Sequence, residues 1–147
     1  MIMSETLIDR AIFIDTSAVL ALKDPRDQYH TIANDFFNAA KGVTWVSLNA
    51  TSQESYTRAR YCFGFNIAIN TFDWLVNDSF LYFSFTSIDE LEARKRLEKY
   101  KDQKLSFHDA LLASVMIKLG VYKIFTFDSD FWIFGFEVLP GITNLKS

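Results

Sequence analysis

Ala11-Ile12-Phe13-Ile14-Asp15-Thr16-Ser17 is the stretch on which the fold turns. A short apolar run that ends in an acid reads as a buried strand, and Thr16 and Ser17 can cap a helix directly after it. A strand feeding a helix in this way begins an α/β unit. Downstream, Tyr29, Ile32, Ala33, Phe36, Phe37 and Ala40 recur at helical spacing between Asp27 and Ala40, and Gly42 is a plausible stop.

The alternation then continues. Val43 to Leu48 reads as a second strand. Helix-compatible patterns cover Ala50 to Phe63 and Asn66 to Val76, with Gly64 breaking between them. Phe80 to Phe85 is aromatic enough for a strand. Ser87 and Glu90 carry capping-box spacing, which predicts a helix from Ser87 toward Asp102. Ser106 and Asp109 repeat that spacing ahead of the apolar run Ala110-Leu111-Leu112-Ala113-Ser114-Val115-Met116-Ile117-Lys118-Leu119, which predicts a largely buried helix ending near Gly120. Tyr122 to Phe127 supplies another strand, and a final edge strand from Phe136 precedes a loose tail. Short strands separated by helices predict a three-layer α/β domain, a mainly parallel sheet with helices on both faces and right-handed crossovers.

At 147 residues the chain has the size of one compact domain, here expected over 1–147 with a core of about 10–140. Half the residues are apolar and 22% are charged, which excludes disorder. The lone Cys62 cannot form an internal disulfide, and no signal-peptide pattern opens the chain, so a reducing cytoplasm fits best. Polar residues interrupt every hydrophobic run, which argues against a membrane span. The net charge of −3 speaks against a strongly electrostatic nucleic-acid binder, unless several carboxylates share a site whose cations offset them.

Such a site is what the acids suggest. Asp15 closes the first strand and Asp128 follows the strand ending in Phe125-Thr126-Phe127, both at strand C-termini where a doubly wound sheet gathers ligands. Glu54 follows the second strand by a few residues, and Asp109 lies in the first turn of the apolar helix. Each has a plainer reading: Asp15 as a helix cap, Glu54 as exposed helix surface, Asp109 as the partner of Ser106, Asp128 as a turn residue with Asp130 competing for its role. Together, clustered carboxylates in a partly buried cleft need protons or cations to coexist. Oxygen donors suit Mg²⁺ or Mn²⁺, while His30 and His108 are far apart and offer no zinc-type spacing.

Phe13-Ile14-Asp15-Thr16-Ser17-Ala18, Glu54, Leu105-Ser106-Phe107-His108-Asp109-Ala110 and Thr126-Phe127-Asp128-Ser129-Asp130-Phe131 together resemble the PIN domain, the family that includes the VapC ribonuclease toxins of VapBC toxin–antitoxin pairs. The resemblance spans nearly the whole chain. It implies a metal site of Asp15, Glu54, Asp109 and Asp128, with Asp130 assisting or replacing Asp128, and with Thr16 or Ser17 and Thr126 orienting carboxylates. It further implies Mg²⁺- or Mn²⁺-dependent hydrolysis of RNA phosphodiester bonds, an antitoxin partner and a homodimer.

The alternatives are a structure-specific DNA nuclease, since the same metal chemistry acts on either polymer, and a catalytically silent PIN-like binding module, against which the full set of acids argues. A haloacid-dehalogenase-type phosphatase would require a second Asp where Ser17 stands. Six basic residues (Arg94, Lys95, Arg96, Lys99, Lys101, Lys104) against three acids between Glu92 and Lys104, with Arg58 and Arg60 near Glu54, are the candidate RNA contacts, a solvated helix face being the plainer reading. His108 is read as a packing or capping residue rather than a general base. The aromatics Trp45, Phe63, Phe65, Phe72, Trp74, Phe80, Tyr82, Phe83 and Phe85 read mostly as core, with a surplus that would join Phe131, Trp132, Phe134 and Phe136 at a protein contact surface.

Overall fold

All four residues of β1, Ala11–Ile14, are buried, as a central strand of a doubly covered sheet must be. The computed structural model describes residues 3–77 and 79–141. In it β1 is followed by α2 (Thr16–Lys23), α3 (His30–Ala39), β2 (Thr44–Leu48), α4 (Asn49–Phe63), α5 (Phe65–Val76), β3 (Leu81–Phe83), α6 (Ser87–Lys99), α7 (Phe107–Leu119), β4 (Lys123–Phe125) and β5 (Glu137–Leu139). A short helix α1 (Glu5–Arg10), capped by Ser4, precedes β1, and a 3₁₀ turn spans Ser129–Phe134. The strands form one wholly parallel sheet in the order β3-β2-β1-β4-β5. The chain builds outward from β1 on one side, then crosses back to build the other. The point where the direction reverses therefore lies between β1 and β4, and a crevice opens there at the strand C-termini.

The pleat sends alternate side chains to opposite faces. Phe13, Val46, Leu48, Ile124 and Val138 pack with Leu112, Val115, Met116 and Leu119 of α7. Ile12, Ile14 and Phe125 pack with Val19 and Ala21 of α2 and Ala33 of α3, joined by Phe36, Phe37 and Trp45. These two cores make the expected three layers. Among the described residues no helix is long and apolar enough to cross a membrane.

Three features depart from the sequence reading. The capping box of α6 is Thr86 with Asp89, one residue earlier than the Ser87–Glu90 pair of identical spacing. Asp89 is 2% exposed and 2.9 Å from Lys118 Nζ of α7, a partner that only the inward-facing acid can reach. That helix also stops at Lys99, short of Asp102. Finally, Phe131 and Phe136 are core residues and Phe134 packs against that core, so of the expected C-terminal contact surface Trp132 alone is largely exposed, at 54%. The 3₁₀ turn rolls the aromatic segment back onto α7. The expected loose tail lies outside the described residues.

Candidate active site

β1 and β4 pair with Ile14 level with Phe125, so the next residues, Asp15 and Thr126, come side by side at the sheet edge. Asp15 caps α2 and is 4% exposed. Its Oδ2 accepts three hydrogen bonds: from Thr126 Oγ1 at 2.8 Å, Ser17 Oγ at 2.7 Å and the Ser17 amide at 3.3 Å. Thr126 Oγ1 also accepts from the Asp128 amide at 3.0 Å, and Ser17 Oγ from the Phe127 amide at 3.0 Å. The two hydroxyls thus tie the end of β1 to the loop after β4. Burial pushes the Asp15 carboxyl above the usual carboxylate range, with Asp109 adding to the rise, against the lowering influence of His108 and the hydroxyls.

Asp109 arrives from α7. A crossover helix runs antiparallel to the strands it connects, so its N-terminus returns to the edge where the strands end. The capping box with Ser106 forms as expected and occupies only one carboxylate oxygen: Oδ2 accepts from the Ser106 amide at 3.2 Å, leaving Oδ1 toward the site. Asp128 caps the 3₁₀ turn, accepting from the Asp130 amide at 2.9 Å. Oxygens of Asp109, Asp128 and Asp130 lie within 4.8 Å of one another, as do ligand atoms of Asp15, His108 and Asp109. Asp109 belongs to both groups and joins them. Burial raises the Asp128 carboxyl to about 6, assisted by Asp109, Asp130 and Asp15 and opposed by the Asp130 amide.

Glu54 reaches this cluster through a residue that the sequence reading set aside. His108 Nδ1 is 2.9 Å from Glu54 Oε2, 3.7 Å from Asp109 Oδ1 and 3.8 Å from Asp15 Oδ1, while Nε2 is 2.8 Å from Thr51 Oγ1. The imidazole therefore sits among Glu54, Asp109 and Asp15. Burial alone would lower its pKa, but Asp109, Glu54 and Asp15 together hold it up at about 10. The only sequence signal was adjacency to Asp109 in a first helical turn, which does not say which way the ring turns.

The basic residues divide. Lys95, Arg96 and Lys99 line a cavity of about 270 Å³ with Glu92, Tyr100, Ile117 and Phe134, a set that includes none of the clustered acids. Arg94 pairs with Glu98 along the helix at 2.7 Å. Arg58, 3.9 Å from Glu54, lines a smaller cavity of about 160 Å³ with Ser17, Leu20, Asp27, Gln28, Tyr29 and Phe127. That cavity abuts the acids through Ser17 and offers a cation beside them.

Carboxylates thus converge at the topological switch point of a parallel α/β domain, a donor set that suits divalent cations. The chain belongs to the PIN domain family, whose model matches residues 12–136. Its fold is similar to that of Mycobacterium tuberculosis VapC20, a sarcin–ricin-loop-cleaving toxin, with 25% identity over 86% of this chain and 96% of that one and a TM-score of 0.81. VapBC2 from Rickettsia felis, bound to a DNA fragment from its promoter, contains a chain of the same fold, at 15% identity, 90% and 96% coverage and a TM-score of 0.62. No curated protein matches the chain by sequence.

Proposed function

We propose that this chain is a Mg²⁺- or Mn²⁺-dependent endoribonuclease of the VapC kind, the toxin of a toxin–antitoxin pair, and that Asp15, Glu54, Asp109 and Asp128 are its catalytic metal-holding residues, with Asp130 assisting. The observation that carries the reading is the meeting of these acids at one sheet edge, where His108 and Arg58 offset only part of their charge. The donors suit a hard divalent ion. Two carboxyls are pushed up by burial and mutual repulsion, a state that a cation reverses. Glu54 Oε2 is shielded from solvent and lies 2.9 Å from His108 Nδ1. A shielded carboxylate oxygen in this position suits a hard cation as a ligand.

When bound, the ion would supply Lewis acidity, lowering the pKa of attacking water and offsetting charge on the phosphodiester. The protein's own part is positioning. Ser17 and Thr126 hold one oxygen of Asp15, Ser106 holds one oxygen of Asp109, and the second oxygen of each is left for the site. Arg58 stands where a flanking phosphate can be met. Cleavage of RNA is favoured over DNA by the likeness to a toxin that cuts the sarcin–ricin loop. That likeness also supports an antitoxin as partner, while a second copy of the chain is the oligomer the family resemblance implies. Tyr61, Phe65 and Ile67, 87%, 53% and 43% exposed around the α4–α5 junction, are one apolar surface available for such contacts. A reducing cytoplasm is the compartment this reading requires, and the lone Cys62 fits it.

The test is a cleavage assay on mixed RNA and DNA substrates with Mg²⁺ or Mn²⁺, comparing wild type with Asp15→Asn and Asp109→Asn. RNA cleavage that chelator abolishes, and that each variant reduces at least about a hundredfold, is expected from loss of a ligand carboxylate. Undiminished cleavage by either variant overturns the assignment.

A further inference from the structure

We infer that His108 is itself a metal ligand, giving this centre one nitrogen donor among its carboxylates and a preference for Mn²⁺ over Mg²⁺. The inference rests on the metal-dependent reading above and goes beyond the all-oxygen ligand set proposed there.

Three observations converge on it. First, the spacing is that of ligands sharing an ion. Donor atoms on adjacent corners of an octahedron with bonds of about 2.1 Å are about 3 Å apart, and those on opposite corners about 4.2 Å. His108 Nδ1 lies 3.7 and 3.8 Å from oxygens of Asp109 and Asp15, inside that range, and ligand atoms of these three residues lie within 4.8 Å of one another.

Second, the far side of the ring is already engaged. Nε2 meets Thr51 Oγ1 at 2.8 Å, and Thr51 is wholly buried on α4. Metal-bound histidines use the second ring nitrogen in this way, and the partner fixes the ring orientation. A donor N–H on Nε2 leaves the Nδ1 lone pair facing the acids.

Third, the ring is committed to the site. Its side chain is 9% exposed, and Nδ1 makes close contact with three carboxylates. Ligation through Nδ1 requires the ring without its proton there, so an entering ion displaces one proton.

The consequence is selectivity. Mg²⁺ is held by oxygen donors, whereas imidazole suits first-row transition ions. Replacing His108 should weaken Mn²⁺ binding about tenfold or more, the scale on which ligand-shell changes act, and Mg²⁺ binding no more than about threefold.

The experiment is pulsed electron paramagnetic resonance on the Mn²⁺-loaded full chain, unlabelled and grown with ¹⁵N-histidine, alongside titration calorimetry with Mn²⁺ and Mg²⁺ on wild type and His108→Asn. The result expected is a nitrogen coupling that changes with the label and disappears in the variant. His30, the other histidine, is held by Ala21 and Asn34 through its two ring nitrogens, so it offers no competing signal. The labelled wild type answers the question even if the variant does not fold. Bound Mn²⁺ without nitrogen coupling, coupling that survives in His108→Asn, or equal losses for both ions overturns the inference and leaves the carboxylate site standing. Failure of wild type to bind either ion overturns the metal-dependent reading itself.

Discussion

Thr126→Val isolates the hydroxyl that joins the two sides of the switch point. Thr126 is fully buried, and valine has nearly its shape, so the change opens no cavity. What it removes is specific: the 2.8 Å bond donated to Asp15 Oδ2, the acceptor for the Asp128 amide at 3.0 Å, and the contact with Ser17 Oγ at 3.0 Å. A hydrogen bond to a charged group contributes about 1.5–3 kcal/mol, and an amide left without its acceptor in a part-buried position costs about 1 kcal/mol. Together these give a loss of about 3 kcal/mol, or about 9 °C in Tm for a domain of this size.

The pH dependence has a definite sign. The folded Asp15 carboxyl already titrates above its unfolded value, and the Thr126 bond is one of the influences restraining that rise. Without it the folded pKa goes higher. The penalty on the ionised form is then fully present above the folded pKa and fades as pH falls through it, because a protonated carboxyl needs the donor less. Urea unfolding of metal-free protein in chelator, at about pH 8 and about pH 5, should therefore show the larger deficit at the higher pH with an unchanged m-value. Thr126→Ser, which keeps the hydroxyl, should remain within about 1 kcal/mol of wild type. A Thr126→Val protein as stable as wild type at both pH values would refute the claim that this hydroxyl holds the buried carboxylate.

Asp128 carries a second pH signature. Its folded carboxyl titrates near 6 against 3.8 unfolded, so the metal-free fold binds a proton that the unfolded chain does not, and stability should fall as pH rises from about 4 through 6. Asp128→Asn should flatten that part of the wild-type profile, as measured by urea midpoints; parallel profiles would contradict the assignment. Phe125→Ala should cost about 4 kcal/mol in chemical unfolding, because the side chain is fully buried with Phe36 at 5.0 Å and Trp45 at 5.6 Å between ring centres. A loss below about 1 kcal/mol would show that the aromatic layer under β4 repacks freely.

Asp15, Asp109 and Asp128 could be found in the sequence because each is announced by its immediate neighbours. Asp15 ends an uninterrupted apolar run, Asp109 completes a capping box with Ser106, and Asp128 follows Phe125-Thr126-Phe127. Such boundary signals are short-range, and short-range physics decides them. Where two local signals compete, composition cannot choose. Thr86–Asp89 and Ser87–Glu90 share one spacing, and only the burial of Asp89 against Lys118 selects the first. The same limit explains the C-terminal aromatics: Phe131, Trp132, Phe134 and Phe136 read alike, until the 3₁₀ turn buries the first and last and leaves Trp132 outside.

Glu54 and His108 were hard to read for a different reason, and it bears on how the site is built. The buried face of α4 is Thr51, Ser52, Ser55 and Ala59, so the hydrophobic periodicity that marks an inward helix face is missing there. Glu54 then looks like surface, although it lies one turn from Thr51 on the same side. His108 is the group that gives this polar face its purpose. Its ring fills the space between α4 and α7, with Thr51 on one nitrogen and Glu54 against the other. A helix that faced the core with leucines there would leave the Nε2 side of the ring without its Thr51 partner. The polar lining of α4 and the histidine before Asp109 are therefore one device read from two places in the chain. In Thr51→Val, NMR should show the His108 ring and Glu54 carboxyl signals moving while the Ser17 and Thr126 amide signals stay in place, and unmoved His108 and Glu54 signals would refute the coupling.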